Sequence, residues 1–115
     1  MKLYGIPNCT TVKKARAWLA EHGHDVPFHD FKKHGVETAW LKSVAAQTGV
    51  AALLNIRGTT WRTLSEAEQA TTRTESGALA LMVAHTSLIK RPVLEHKGHY
   101  HLGFTDAQYQ AIFGA

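Results

Sequence analysis

Residues 4–15, Tyr4-Gly5-Ile6-Pro7-Asn8-Cys9-Thr10-Thr11-Val12-Lys13-Lys14-Ala15, contain the chain's one cysteine, and their reading decides the fold. Ahead of the cysteine, Lys2 to Ile6 reads as a short strand. Behind it, Val12, Ala15, Arg16 and Leu19 recur at the spacing of one helical face. Cys9 therefore stands where a strand passes into a helix. There the first amide N–H groups have no intrahelical partner and the helix dipole is positive, so a thiolate is favoured over a thiol. Lys13 and Lys14 add positive charge one turn on, and Thr10 or Thr11 offers a cap or a hydroxyl to sulfur. An unperturbed thiol of pKa ~8.5 is only about 3% ionised at pH 7, so any lowering enlarges the nucleophilic fraction directly. The position predicts a reactive cysteine and not an inert packed one.

Bulk properties bound what such a cysteine can do. A chain of 115 residues is long enough for one domain with its own core. A lone cysteine makes no internal disulfide, which fits a reducing compartment. No apolar run approaches the ~20 residues of a membrane span, and the start carries no apolar signal segment, so a cytoplasmic protein without membrane contact is expected. The net charge of +4 favours anionic partners. Because the basic residues are scattered, however, nucleic acid is an unlikely partner and a small anionic ligand a better one.

Outward from the decisive stretch, a first helix is expected over about residues 10–22, ended by Gly23. A second strand is expected over Val26 to Phe31, with Pro27 placing it at an edge or a strand start. Lys32-Lys33-His34-Gly35 reads as a solvated loop. A helix over about residues 38–48 follows, closed by Gly49. Asn55-Ile56-Arg57-Gly58-Thr59-Thr60-Trp61-Arg62 is rich in donors and reads as a functional loop. Ser65-Glu66-Ala67-Glu68 has capping-box spacing, and a further helix is expected over about residues 75–85. Val93–His96 and His99–Leu102 flank Lys97-Gly98 as the arms of a hairpin. Thr105-Asp106-Ala107-Gln108 opens a last helix packing Tyr109, Ile112 and Phe113. His99 and His101 share one face of their strand, but no third ligand accompanies them, so no metal site is expected.

Strand, helix, strand, a run of helices, a hairpin and a helix together predict an α/β protein. The expectation is a thioredoxin-like fold with a small mixed four-stranded sheet and a mostly helical insertion at about residues 36–86, all within a single domain spanning 1–115. That topology carries the turn before the hairpin, Lys90-Arg91-Pro92, towards Cys9, where a guanidinium would favour thiolate and clamp an anion. Arg91-Pro92 is also a candidate cis peptide.

Three stretches in this order, Ile6 to Ala15, Leu54 to Arg62 and Ile89 to Val93, resemble the ArsC/Spx family, most closely its YffB-like branch. The resemblance implies Cys9 as catalytic thiolate, Arg91 as the anion-binding arginine beside it and Pro92 as a cis-proline. It also implies glutathione-dependent thiol reduction. Asn8, Thr10, Thr11, Lys13, Arg57 and Pro92 are the residues expected to meet substrate. No tightly bound cofactor is implied; glutathione enters as a co-substrate, with protein mixed disulfides as further partners. Arsenate reductases of the family use three arginines around the cysteine. Here only Arg91 matches, Asn55 taking the second place and Gly103 falling near the third, so arsenate reduction is the weaker alternative. Spx-type regulators, which bind RNA polymerase without catalysis, carry Cys-x-x-Cys, and here Val12 occupies the second cysteine's place.

Overall fold

The computed structural model describes residues 1–114. In chain order they form β1 (Lys2–Gly5), α1 (Thr10–Glu21), β2 (Phe28–Asp30), α2 (Phe31–His34), α3 (Thr38–Thr48), α4 (Val50–Leu53), α5 (Thr59–Thr63), α6 (Glu66–Ala70), α7 (Glu75–Ala84), β3 (Val93–His96), β4 (His99–Leu102) and α8 (Asp106–Phe113). The chain divides into two compact units. One joins Met1–Asp30 to the segment from Arg91 onwards; the other is Phe31–Lys90.

The first unit is built on a four-stranded sheet of order β2-β1-β3-β4. β1 runs parallel to β2 and antiparallel to β3, and β3 and β4 form the hairpin, so the sheet is mixed and thioredoxin-like. Side chains alternate across a strand, so Leu3, opposite Leu94, turns to the face that receives the helices. Leu3, Ala15, Trp18, Leu19, Leu94 and Tyr109 form the core there, with Phe28, Phe104 and Phe113 packed against its margin. Full burial of one such side chain is worth roughly 1.5–3 kcal/mol, so this cluster fixes α1 and α8 on the sheet.

Residue-level chemistry sets the element ends. α1 closes in a Schellman turn: the N–H of His24 donates to Leu19 O at 2.9 Å and that of Gly23 to Ala20 O at 3.1 Å, with Gly23 at φ 75°. The hairpin turn places Lys97 and Gly98 at φ 51° and 78°, the pair of positive values that a tight two-residue connection requires. Thr105 and Gln108 complete a reciprocal capping box at the start of α8. Two expectations change in this unit. β2 is only three residues long, and the buried face of α1 comprises Val12, Ala15, Trp18 and Leu19. Arg16 lies exposed, its guanidinium 4.3 Å over the Phe28 ring.

The helical unit is wider at both ends than the insertion expected from sequence. Leu41, Val44 and Ala45 of α3, Leu53 of α4 and Ala78, Leu79, Leu81 and Met82 of α7 are its buried residues on those helices. The N–H of Asn55 donates to Leu88 O at 2.7 Å and that of Lys90 to Leu53 O at 2.8 Å, tying the chain entering the 55–62 stretch to the chain leaving the unit. Ser65 and Glu68 form the expected capping box. At Gly77 an added Cβ would stand 1.9 Å from Thr71 O, so the first turn of α7 requires glycine. Two stretches depart from expectation: Lys32 to His34 belongs to the short helix α2, and the second half of the 55–62 loop is the helix α5. Residues 50–53, for which the reading of the sequence set no expectation, form α4. Each is a single helical turn or little more, too short for a 3.6-residue period to register in sequence. No helix among the described residues is long and apolar enough to cross a membrane.

Candidate active site

The site begins with the way α1 starts. Cys9 is the residue capping the helix, in extended conformation at φ −90° and ψ 127°, and its own carbonyl accepts from the N–H of Lys13 at 2.9 Å. Its N–H donates to Ile6 O at 3.4 Å, closing the tight turn through Pro7 and Asn8. Neither Thr10 nor Thr11 is the cap, as sequence had allowed; both are already helical. The cysteine thus occupies the place where serine or aspartate normally accepts from first-turn amides.

Gly5 makes that geometry possible. A Cβ there would approach Val12 Cγ2 to 2.8 Å, so the fully buried Val12 side chain rests on a bare Cα. The end of β1 and the first turn of α1 are thereby drawn together, and the Val12 amide is set beneath the sulfur.

Four influences converge on the half-buried thiol besides its burial. Burial is the largest single one and pushes the thiol up. Against it act the N–H of Val12, a hydrogen bond from the Arg91 guanidinium, the N–H of Thr11 and the charge of Arg91; together they prevail and hold Cys9 below the ordinary thiol range. The neutral thiol makes no capping hydrogen bond of ordinary geometry. The amides act on the anion, which draws donors that a weak S–H acceptor does not.

Arg91 arrives from the segment before β3. Its peptide bond to the buried Pro92 is cis, and Pro92 O accepts from the N–H of Gly103 at 2.8 Å, anchoring that segment on the end of the hairpin. Cys9, Thr11, Arg91 and Pro92 are therefore built into one unit on three elements, and Asn8, Thr10 and Lys13 lie exposed around the turn that holds Cys9. Lys13 and Lys14 do not figure among the influences on the thiol. An exposed ammonium is strongly screened, and the charge beside sulfur comes from Arg91 instead. Arg57 belongs to the helical unit. It is exposed, its N–H donates to Asn55 Oδ1 at 3.1 Å and its carbonyl accepts from Arg62 Nη2 at 3.1 Å. Trp61 is half-buried there, its carbonyl accepting from Gln69 Nε2 at 2.9 Å. Of the first-turn amides expected to favour the thiolate, those of Val12 and Thr11 act on the sulfur.

A half-buried sulfur with donors on one side can attack along its exposed side, and an adjacent guanidinium can hold an anionic group of whatever is attacked. Among the described residues no group of three histidine, cysteine or acidic side chains could hold a metal ion.

The pattern of the ArsC family matches residues 4–112, which takes in Cys9, Arg91 and Pro92. The chain belongs to the ArsC family. The solved structure of the YFFB protein is similar to it, with 46% identity, a TM-score of 0.90 and 95% of each chain covered. An uncharacterized protein of Haemophilus influenzae is 39% identical over 96% of each sequence. The global transcriptional regulator Spx 1 of Lactococcus lactis is 29% identical over 96% of this chain and 86% of its own. Membership supports a reductase-type redox role at the level of the family.

Proposed function

We propose that this ArsC-family chain is a glutathione-dependent monothiol reductase with Cys9 as its nucleophile and Arg91 as the anion-binding residue beside it. The observation that carries the reading is the pairing of Cys9 with first-turn amides and the Arg91 guanidinium, which together favour the thiolate. The Cys9 thiolate attacks the glutathione sulfur of a mixed disulfide, forming Cys9–S–S–glutathione and expelling the substrate thiolate. Because the chain has no second cysteine, an external glutathione thiolate then attacks the glutathione sulfur of that adduct. Cys9 leaves as thiolate and oxidised glutathione departs, so each turnover converts one mixed disulfide and one external glutathione into the free substrate thiol and oxidised glutathione, with the glutathionyl group held on the enzyme between steps. The Arg91 guanidinium pairs with a carboxylate of glutathione, and Asn8, Thr10, Thr11, Lys13 and Pro92 of the same unit complete the expected substrate contacts.

The test is turnover of a small glutathione mixed disulfide by wild type and Cys9→Ser with excess glutathione, together with mass spectrometry of the wild-type protein. The reading predicts turnover lost in Cys9→Ser and a glutathione adduct confined to Cys9. Equal rates in the two proteins would refute it.

A second reading, a non-catalytic regulator in the manner of Spx, is favoured by the 29% identity to the Lactococcus lactis protein. It predicts retention of RNA polymerase on the immobilised chain with no turnover. Val12 in place of a second cysteine removes the dithiol switch from that reading.

A further inference from the structure

On the helix-bearing side of the sheet, six aromatic rings meet at the end of α8. The Phe113 ring lies 4.2 Å from that of His24 at 27° and 4.8 Å from that of His96 at 50°. Trp18 of α1 is 5.5 Å from Phe113 at 29° and stacks on His22 at 3.8 Å, while Tyr109 is edge-on to Trp18 at 5.5 Å. The last residue of α8 is thus gripped between two imidazoles, one after α1 and one at the end of β3. We propose that this grip is a pH-responsive clasp: Phe113 is held while His96 is neutral and is released when His96 is protonated.

The charges around the pair explain the direction. Lys97 in the hairpin turn, the Met1 amino group and His24 all act on His96 with positive charge, and His99 and His96 act likewise on His101 of β4. Arg16 of α1 lines the same hollow as His24 and Asp25. Of the nearby carboxylates, Asp25 and Glu21 are exposed. Glu95 turns to the opposite sheet face, where it accepts from Tyr4 Oη at 3.5 Å. Asp106 stands at the far end of α8. The negative end of the α8 dipole and the attraction of an imidazolium for a phenyl face both favour a proton on His96, so two effects work against release. At His96 the balance is decided: burial first, then Lys97, the amino group and His24, hold it below the ordinary imidazole range. A base lowered on folding contributes stability that is complete above ~6.5, the unfolded value, and declines as pH falls through that value towards the folded one.

Amide hydrogen exchange of the intact chain at about pH 7.5 and about pH 5, corrected for intrinsic rates, tests the clasp. Protection of the Tyr109 to Phe113 amides is expected to fall by about tenfold or more on acidification, while that of Leu81 and Met82 in the helical unit is unchanged. In His24→Gln/His96→Gln the fall should disappear. Constant or rising protection at low pH, or the same fall in the double variant, would overturn the proposal. If the double variant does not fold, the wild-type ring resonances decide: His96 and Phe113 shifting with one common midpoint supports the clasp, and a Phe113 ring indifferent to the His96 titration refutes it.

Discussion

Replacing Arg91 with glutamine removes the one side chain that both hydrogen-bonds the Cys9 sulfur and bears a charge beside it. A hydrogen bond to a charged partner is worth roughly 1.5–3 kcal/mol when well shielded. Both residues are half-buried, so screening reduces the effective loss to about 1 kcal/mol, or about fivefold in thiolate population where the thiol still predominates. The amides of Val12 and Thr11 remain, so the change is a weakening and not an abolition. The assay is the second-order rate of alkylation by iodoacetamide at a pH low enough that both proteins are mainly protonated. Arg91→Gln should react about fivefold more slowly, and Arg91→Lys should fall between it and wild type, because an ammonium keeps the charge without the planar fork. A rate for Arg91→Gln within about 1.5-fold of wild type would refute the argument that Arg91 poises the thiol.

Three further substitutions probe the scaffold. Gly5→Ala would press a methyl against Val12 Cγ2 at 2.8 Å, and the displaced first turn of α1 should reduce both stability, by about 1–3 kcal/mol in urea unfolding, and Cys9 alkylation. Gly77→Ala meets the Thr71 carbonyl at 1.9 Å, a backbone atom that cannot rotate away; a loss of at least about 2 kcal/mol is expected with Cys9 alkylation of the folded protein unchanged. Tyr109→Phe removes a fully buried hydroxyl that has no hydrogen-bond partner, so denaturant midpoints should stay level or rise by the equivalent of about 1 kcal/mol.

The legible parts of the fold were those written in local chemistry. Gly23, Lys97-Gly98 and the two capping boxes are dictated by positive φ values or by a hydroxyl three residues before its partner, and sequence displays both directly. The placement of Cys9 at the start of α1 was legible for the same reason, since a strand followed by a helical face leaves one residue at the junction. What escaped was set by tertiary packing or by length. Arg16 falls on the apolar period of α1, yet it lies exposed over Phe28. The single-turn helices α2, α4 and α5 carry too few residues for periodicity. The screening that sets Lys13 and Lys14 aside depends on exposure, which sequence does not record.

The central claim is that the helix amides and Arg91 lower the Cys9 pKa and so enlarge its thiolate fraction, and the pH dependence of its alkylation reports this most directly. With Cys9→Ser as the blank, the wild-type rate should rise through a midpoint below the ~8.5 of an unperturbed thiol. A midpoint at or above that value would contradict the account, because burial would then have outweighed the helix amides and Arg91.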